Sequence, residues 1–329
     1  MSKNVPSLKL SWAAAKLLRA GVLVAILVFV CAVAFRNPYY AGIITVTAIA
    51  AILTMAVNLS AYAGVLMFAT GGLYGVGAYT YANLSLFGRS AFVALIAAAA
   101  MSMVVGFVMI IASLRLRGIY FALSTLIGNL ILSAIFLNLT WLTAGPRGMS
   151  NIPAPVFWLP GVGDVAFVGY LQTYLVLAIL VVWLCASWWM LHTKTGVYLE
   201  AIRHDDVLST TLGIDILKYR LLAFLPSAGM MGLAGGLYSG YTTSITPDNF
   251  DIFLSFTILT FVNVGGRGTF AGPIIAAVIL SALVYIFQPI YMVRNLLYGS
   301  LLILVILISP DGIMGIAKRL QLWRRSYAR

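Results

Sequence analysis

Apolar runs long enough to cross a lipid bilayer recur along this chain from Ala20 to Ser309, and nothing else constrains its fold as strongly. A bilayer core takes about 20 apolar residues per helical crossing. Backbone N–H and C=O groups in that core must be satisfied internally, so only helices or a closed barrel can span it. These runs are long and continuously apolar, where barrel strands would be short and alternating. Charge is correspondingly scarce. Lys, Arg, Asp and Glu make up 9% of the 329 residues, against about 25% in a soluble domain. The expected fold class is all-α, a polytopic integral membrane protein with about ten transmembrane helices (eight to ten), its main partner being the lipid bilayer.

The spans read as 19–36, 41–59, 62–85, 90–113, 119–142, 166–191, 221–243, 252–266, 272–290 and 293–309. The third is crowded with glycine and polar residues and the eighth is short, so either could be broken or re-entrant. With the N-terminus inside, every Lys and Arg except Arg36, Arg89, Arg147 and Arg294 falls on the inner face. That asymmetry places both termini in the cytoplasm. The expected organisation is a cytoplasmic N-terminal segment (1–18), a transmembrane domain (19–309) with a long inner loop (192–220), and a cytoplasmic tail (310–329). A rival reading makes the basic start, Ala20–Phe35 and Ala32-Val33-Ala34 a cleaved signal peptide. No soluble domain follows it.

Several chemistries are absent. The net charge of +12 is scattered between apolar spans, which argues against nucleic acid as a partner. No Gly-Lys pair occurs, so there is no phosphate-binding G-x-x-x-x-G-K-[ST] loop; Gly265-Gly266-Arg267-Gly268 lacks the lysine and joins two spans. His192 and His204 are the only histidines, no Cys or His cluster has zinc-ligand spacing, and Cys31 and Cys185 lie in apolar runs. No catalytic, cofactor-binding or metal-binding residue is expected, and no cofactor. Span interiors hold almost no ionisable residues, whereas proton-coupled carriers and voltage sensors need them. A pump with this sequence would draw its energy from another subunit. The competing reading is a stand-alone secondary transporter or channel for a small polar solute.

Polar residues gather in the inner loop. His192–Arg220 holds Glu200, Asp205, Asp206 and Asp215, four of the eight acids. Asp205 or Asp206 can cap a short helix running through Val207, Leu208 and Leu212, Gly213 can stop it, and Asp215 can cap the next. The segment is either a solvated connector or a docking element for a cytoplasmic partner. Within the membrane, Ala228, Gly232, Gly236 and Gly240 repeat every four residues, and Gly71 and Gly75 do so in the third span. Small residues so spaced let helices approach closely; packing and lining of a path are both open. The outer loop 143–165, rich in Gly and Pro, is a rigid connector or a second docking surface.

Six motifs follow one another in an order that carries a resemblance. They are Asn58-Leu59-Ser60-Ala61-Tyr62-Ala63-Gly64 with Gly75-Val76-Gly77-Ala78-Tyr79; Leu114-Arg115-Leu116-Arg117-Gly118-Ile119-Tyr120; and Thr143-Ala144-Gly145-Pro146-Arg147-Gly148. The inner loop adds Ala201-Ile202-Arg203-His204-Asp205-Asp206 with Leu212-Gly213-Ile214. Gly265-Gly266-Arg267-Gly268-Thr269 through Gly272-Pro273, and Pro310-Asp311-Gly312, complete them. Over nearly its whole length the chain resembles the LivM-like permease subunits of branched-chain amino acid ABC importers. It departs at His204 and Asp206, where the family often has another polar residue and Glu, and at Met67–Thr70, where a familiar polar segment is missing. Substrate class is what these changes touch, since relatives import urea, amides or aromatic acids.

The resemblance implies an ABC importer permease fold in a bacterial inner membrane and no enzymatic activity in this subunit. It implies four kinds of partner: a second, LivH-like permease, two cytoplasmic ABC ATPase subunits, and a periplasmic substrate-binding protein. Glu200, Ala201, Arg203, Asp205, Asp206, Leu208, Leu212, Gly213 and Ile214 would form the loop that couples to an ATPase. Gly71, Gly75, Gly232, Gly236 and Gly240 would pack helices or line the path.

Overall fold

A computed structural model describes residues 38–113, 116, 118–159 and 163–286. The expected first and tenth spans, the end of the ninth, both terminal segments and the Pro310-Asp311-Gly312 motif lie outside the described residues.

The described chain is helical almost throughout. The main helices are α1 (Pro38–Tyr62), α2 (Thr70–Leu86), α3 (Ala91–Ser113), α4 (Ile119–Asn138) and the short α5 (Thr140–Thr143). They continue as α6 (Tyr170–His192), α7 (Lys194–His204), α8 (Asp206–Thr211), α9 (Ile216–Thr242), α10 (Ile252–Gly265) and α11 (Ala271–Ile286). Two strands, β1 (Val156–Leu159) and β2 (Gly163–Ala166), pair antiparallel within the 143–165 loop. That loop is thus more ordered than its turn residues suggest. Met149 and Ile245 exchange backbone hydrogen bonds of 2.9 Å, and Tyr81 donates to the Pro153 carbonyl at 3.2 Å. The hairpin end of the bundle is thereby tied to α2 and α9.

Five helices, α1, α3, α4, α6 and α9, are long and apolar enough to cross a membrane. α2, α10 and α11 are shorter, so the described residues do not establish ten crossings. The weak third and eighth spans show why. The third is expected from residue 62, yet helix α2 begins at Thr70, after a non-helical stretch from Ala63 to Ala69. α10 has 14 residues, about 21 Å at 1.5 Å per residue, too short for a 30 Å core.

Burial sorts the helices into two shells. The apolar windows of α1 and α9 are 67% and 61% buried, those of α3, α4 and α6 only 28–33%. α3 turns Phe92, Val93, Ile96, Val104, Phe107 and Val108 outward. Its inner face carries Ala91, Ala94, Ala98, Ser102 and Gly106, small side chains against which α2 and α9 pack. A water-soluble bundle would reverse that outer face; here lipid is the solvent for it.

Candidate functional site

The loop between α6 and α9 is a compact two-helix unit. α7 is anchored from beneath by Leu199 and Ile202, both fully buried, and Tyr198 packs against Tyr219 of α9 with ring centroids 4.8 Å apart. A single residue, Asp205, separates α7 from α8 and caps the latter. Its Oδ1 accepts from the amides of Val207 (2.8 Å) and Leu208 (3.0 Å), filling two of the four donors that open a helix. Gly213 closes α8 at φ 78°, and Asp215 caps α9 through Lys218 N at 3.2 Å. Asp206 reaches forward 14 residues to Arg220, with Oδ2 and Nη2 2.6 Å apart. This pair lies beside a cleft lined by Ile110, Ser113, Phe121, Ile216 and Leu217. Both side chains are largely buried, at 20% and 11% exposure.

Three of the four acids are therefore engaged within the chain. Only Glu200 remains largely open, 3.8 Å from Arg203. Beside exposed polar residues such as His204, Thr210 and Lys218, the loop presents three large apolar side chains: Val207, Leu208 and Leu212 are 60%, 58% and 71% exposed. Ala201 accepts from the Asp205 amide and Ile214 N bonds the Ser209 carbonyl, so both act in the loop's own backbone.

Arg203 faces inward. Its guanidinium carbon lies 5.7 Å from the centroid of the Tyr62 ring, and its side chain fills the space beside Gly268, where a Cβ would overlap it. Gly64 sits against its backbone, and a Cβ at that glycine would fall 3.3 Å from the Arg203 Cα.

The glycine faces are enclosed. A Cβ on Gly77 would overlap the Gly232 carbonyl, and one on Gly232 would overlap Ser102 of α3. Gly71 abuts the Phe250 and Asp251 carbonyls, Gly75 the Phe136 and Phe250 rings. Gly236 meets only the Leu95, Tyr81 and Ala98 side chains, and Gly240 meets Pro155 and Tyr81. Gly77 and Gly235, which press most tightly on a neighbouring backbone at the α2–α9 crossing, lie off the four-residue pattern read from the sequence, although the backbone that Gly77 meets is that of Gly232, which lies on it. A pattern on one helix does not reveal where a second backbone crosses it.

α2 starts inside the bundle. Leu73 O accepts from Ser102, midway along α3, at 2.8 Å. The opening amides, lacking a preceding turn, are met by other helices. Phe68 N bonds Thr125 Oγ1 (3.2 Å), Gly71 N bonds Ser255 Oγ (2.8 Å), and Gly72 N bonds Asn129 Oδ1. α10 starts at the same depth, just after the fully buried Phe250. Irregular backbone at this depth is tolerated because protein side chains satisfy it.

Comparison with known proteins gives this architecture a family. The profile described as "Branched-chain amino acid transport system / permease component" matches residues 39–309. The chain belongs to that family. Among the permease's relatives, LivM, the high-affinity branched-chain amino acid transport system permease protein of Escherichia coli, is 31% identical over 83% of this chain and 69% of its own length. A probable branched-chain amino acid transport permease protein LivH of Methanocaldococcus jannaschii is 32% identical over 38% of this chain and 42% of its own. Among solved structures, PsaBC from Streptococcus pneumoniae in complex with Fab aligns over 84% of this chain and 94% of that one, at 12% identity and a TM-score of 0.46. The permease is accordingly a multi-pass membrane transport component.

Proposed function

We propose that this permease serves a binding-protein-dependent ABC importer for branched-chain or related amino acids. It forms the translocation path with a second, LivH-like permease. Two ATPase subunits on the cytoplasmic side drive it, and a periplasmic binding protein delivers the solute. The subunit sits in the bacterial inner membrane with both termini and the α7–α8 loop in the cytoplasm.

The observation that carries this reading is the apolar edge of α8. Val207, Leu208 and Leu212 stand open on a loop in which Asp205, Asp206 and Asp215 are engaged within the chain. An apolar knob on a rigid, capped base fits a groove on a soluble partner, where buried apolar area supplies the affinity. Family membership and the names of the relatives support the kind of partner and the solute class.

The test is co-expression with the partner subunits and purification through a tag on this chain. Leu208→Asp with Leu212→Asp should leave membrane insertion unchanged, remove the ATPases from the purified complex and stop uptake. Unchanged ATPase recovery in that variant would refute docking through α8. Uptake by the purified chain alone in liposomes, driven by an ion gradient, would instead establish a stand-alone carrier.

A further inference from the structure

We infer that Arg203 links the α7–α8 loop to the two helices that start inside the bundle, so that movement of the loop is passed to both at once. The inference rests on the reading of α8 as the docking element.

α2 and α10 each open at mid-depth and join the rest of the chain at the loop end of the bundle. α2 is reached from α1 through the turn at Gly64 and the stretch to Ala69; α10 leaves through the turn at Gly266–Thr269. Both turns need a glycine with positive φ, 72° at Gly64 and 75° at Gly268, a region that other residues rarely occupy. Both of these glycines touch Arg203, Gly64 against its Cα and Gly268 against its guanidinium. A third contact ties α1 to the second turn: Asn58 Nδ2 donates to the Thr269 carbonyl at 3.0 Å. Arg203 also covers the ring of Tyr62, the last residue of α1.

The side chain is held by packing. Its nearest acid, Glu200, is 3.8 Å away and 60% exposed, a distance at which a surface ion pair contributes little. A planar guanidinium wedged between an aromatic ring and a glycine turn acts as a stiff spacer, which a flexible lysine stem does not reproduce. Stiffness continues to the other side. Asp205 N bonds the Ala201 carbonyl while the Asp205 carboxylate caps α8, so α7 and α8 share one joint, two residues from Arg203. A push on Leu208 or Leu212 therefore reaches the Gly64 and Gly268 turns through a short run of packed backbone. Those turns lead to α2, through the Ala63–Ala69 stretch, and to the end of α10, the two helices that open inside the bundle.

The experiment uses the complete transporter, purified with its partner subunits, carrying Arg203→Met or Arg203→Lys. Membrane insertion, ATPase recovery, ATP hydrolysis and solute uptake are measured together. Both variants should insert, retain the ATPases and hydrolyse ATP, while uptake falls ~10-fold or more, the range of a broken coupling between sites. Uptake within twofold of the parent would overturn the inference. Loss of ATPase recovery in step with uptake would also overturn it, making Arg203 a docking residue. Failure of both variants to insert would overturn it as well, making Arg203 a folding residue. Absence of ATPases from the parent complex would refute the underlying docking reading instead.

Discussion

At the crossing of α2 and α9, the Gly77 and Gly232 backbones touch, and Ser102 closes the third side. At the α7–α8 loop, Leu208 on a helix of six residues and Leu212 at its C-cap stand free. The first region is finished within the chain, because each backbone approach is filled by its neighbour. The second has three of its four acids engaged and its large apolar side chains open. A site complete in itself resists change at every atom. A surface awaiting a partner tolerates change until that partner is present.

The largest effect should come at the crossing. Gly77→Val places a branched side chain against the Gly232 backbone, where no side chain can yield. Overpacking costs about 1–3 kcal/mol even where neighbours can shift. Folded protein should therefore be absent by size-exclusion chromatography of detergent extracts; a monodisperse peak at parental yield would contradict the crossing.

A smaller loss is expected at the base of the loop. Asp206→Ala leaves Arg220 beside an apolar cleft with its Nε already unpartnered. A lost hydrogen bond to a charged group costs about 1.5–3 kcal/mol, which should appear as a lower midpoint of thermal unfolding in detergent. Exchanging the pair, Asp206→Arg with Arg220→Asp, should recover much of that midpoint. No recovery would mean that the contact is incidental.

The smallest effect sharpens the contrast within the glycine face itself. For Gly236→Ala, the three atoms nearest a Cβ at that position all belong to side chains, the closest being Leu95 Cδ2 at 3.0 Å. Rotation of that leucine should hold the change within about 1 kcal/mol. A loss like that of Gly77→Val would show that the whole stripe is packed backbone to backbone.

Much of this is legible in the sequence. Every expected span between 41 and 286 contains a helix, though the third opens with the non-helical Ala63–Ala69, and the two weak ones mark the helices that start inside the bundle. Polar residues and glycines in an apolar run signal backbone that must be met by other helices, as Ser255 and Asn129 meet Gly71 and Gly72. Helix caps are also visible, since Asp205 and Asp215 act over two or three residues. The inner loop's acids are harder to interpret. Their concentration marks the loop as a solvated connector or a docking element, yet Asp206 serves an ion pair 14 residues away. Composition cannot tell an open carboxylate from an engaged one.

The sequence by itself determined the solvent of the fold, the helix positions and the local caps, because each depends on hydropathy or on contacts within one turn. Tertiary structure decided which glycines bear a second backbone and which acids are occupied. It also decided that Arg203 meets the turns at Gly64 and Gly268, far from it along the chain on either side. Those outcomes depend on where separate helices cross, and no periodicity within a single helix encodes its neighbour's position.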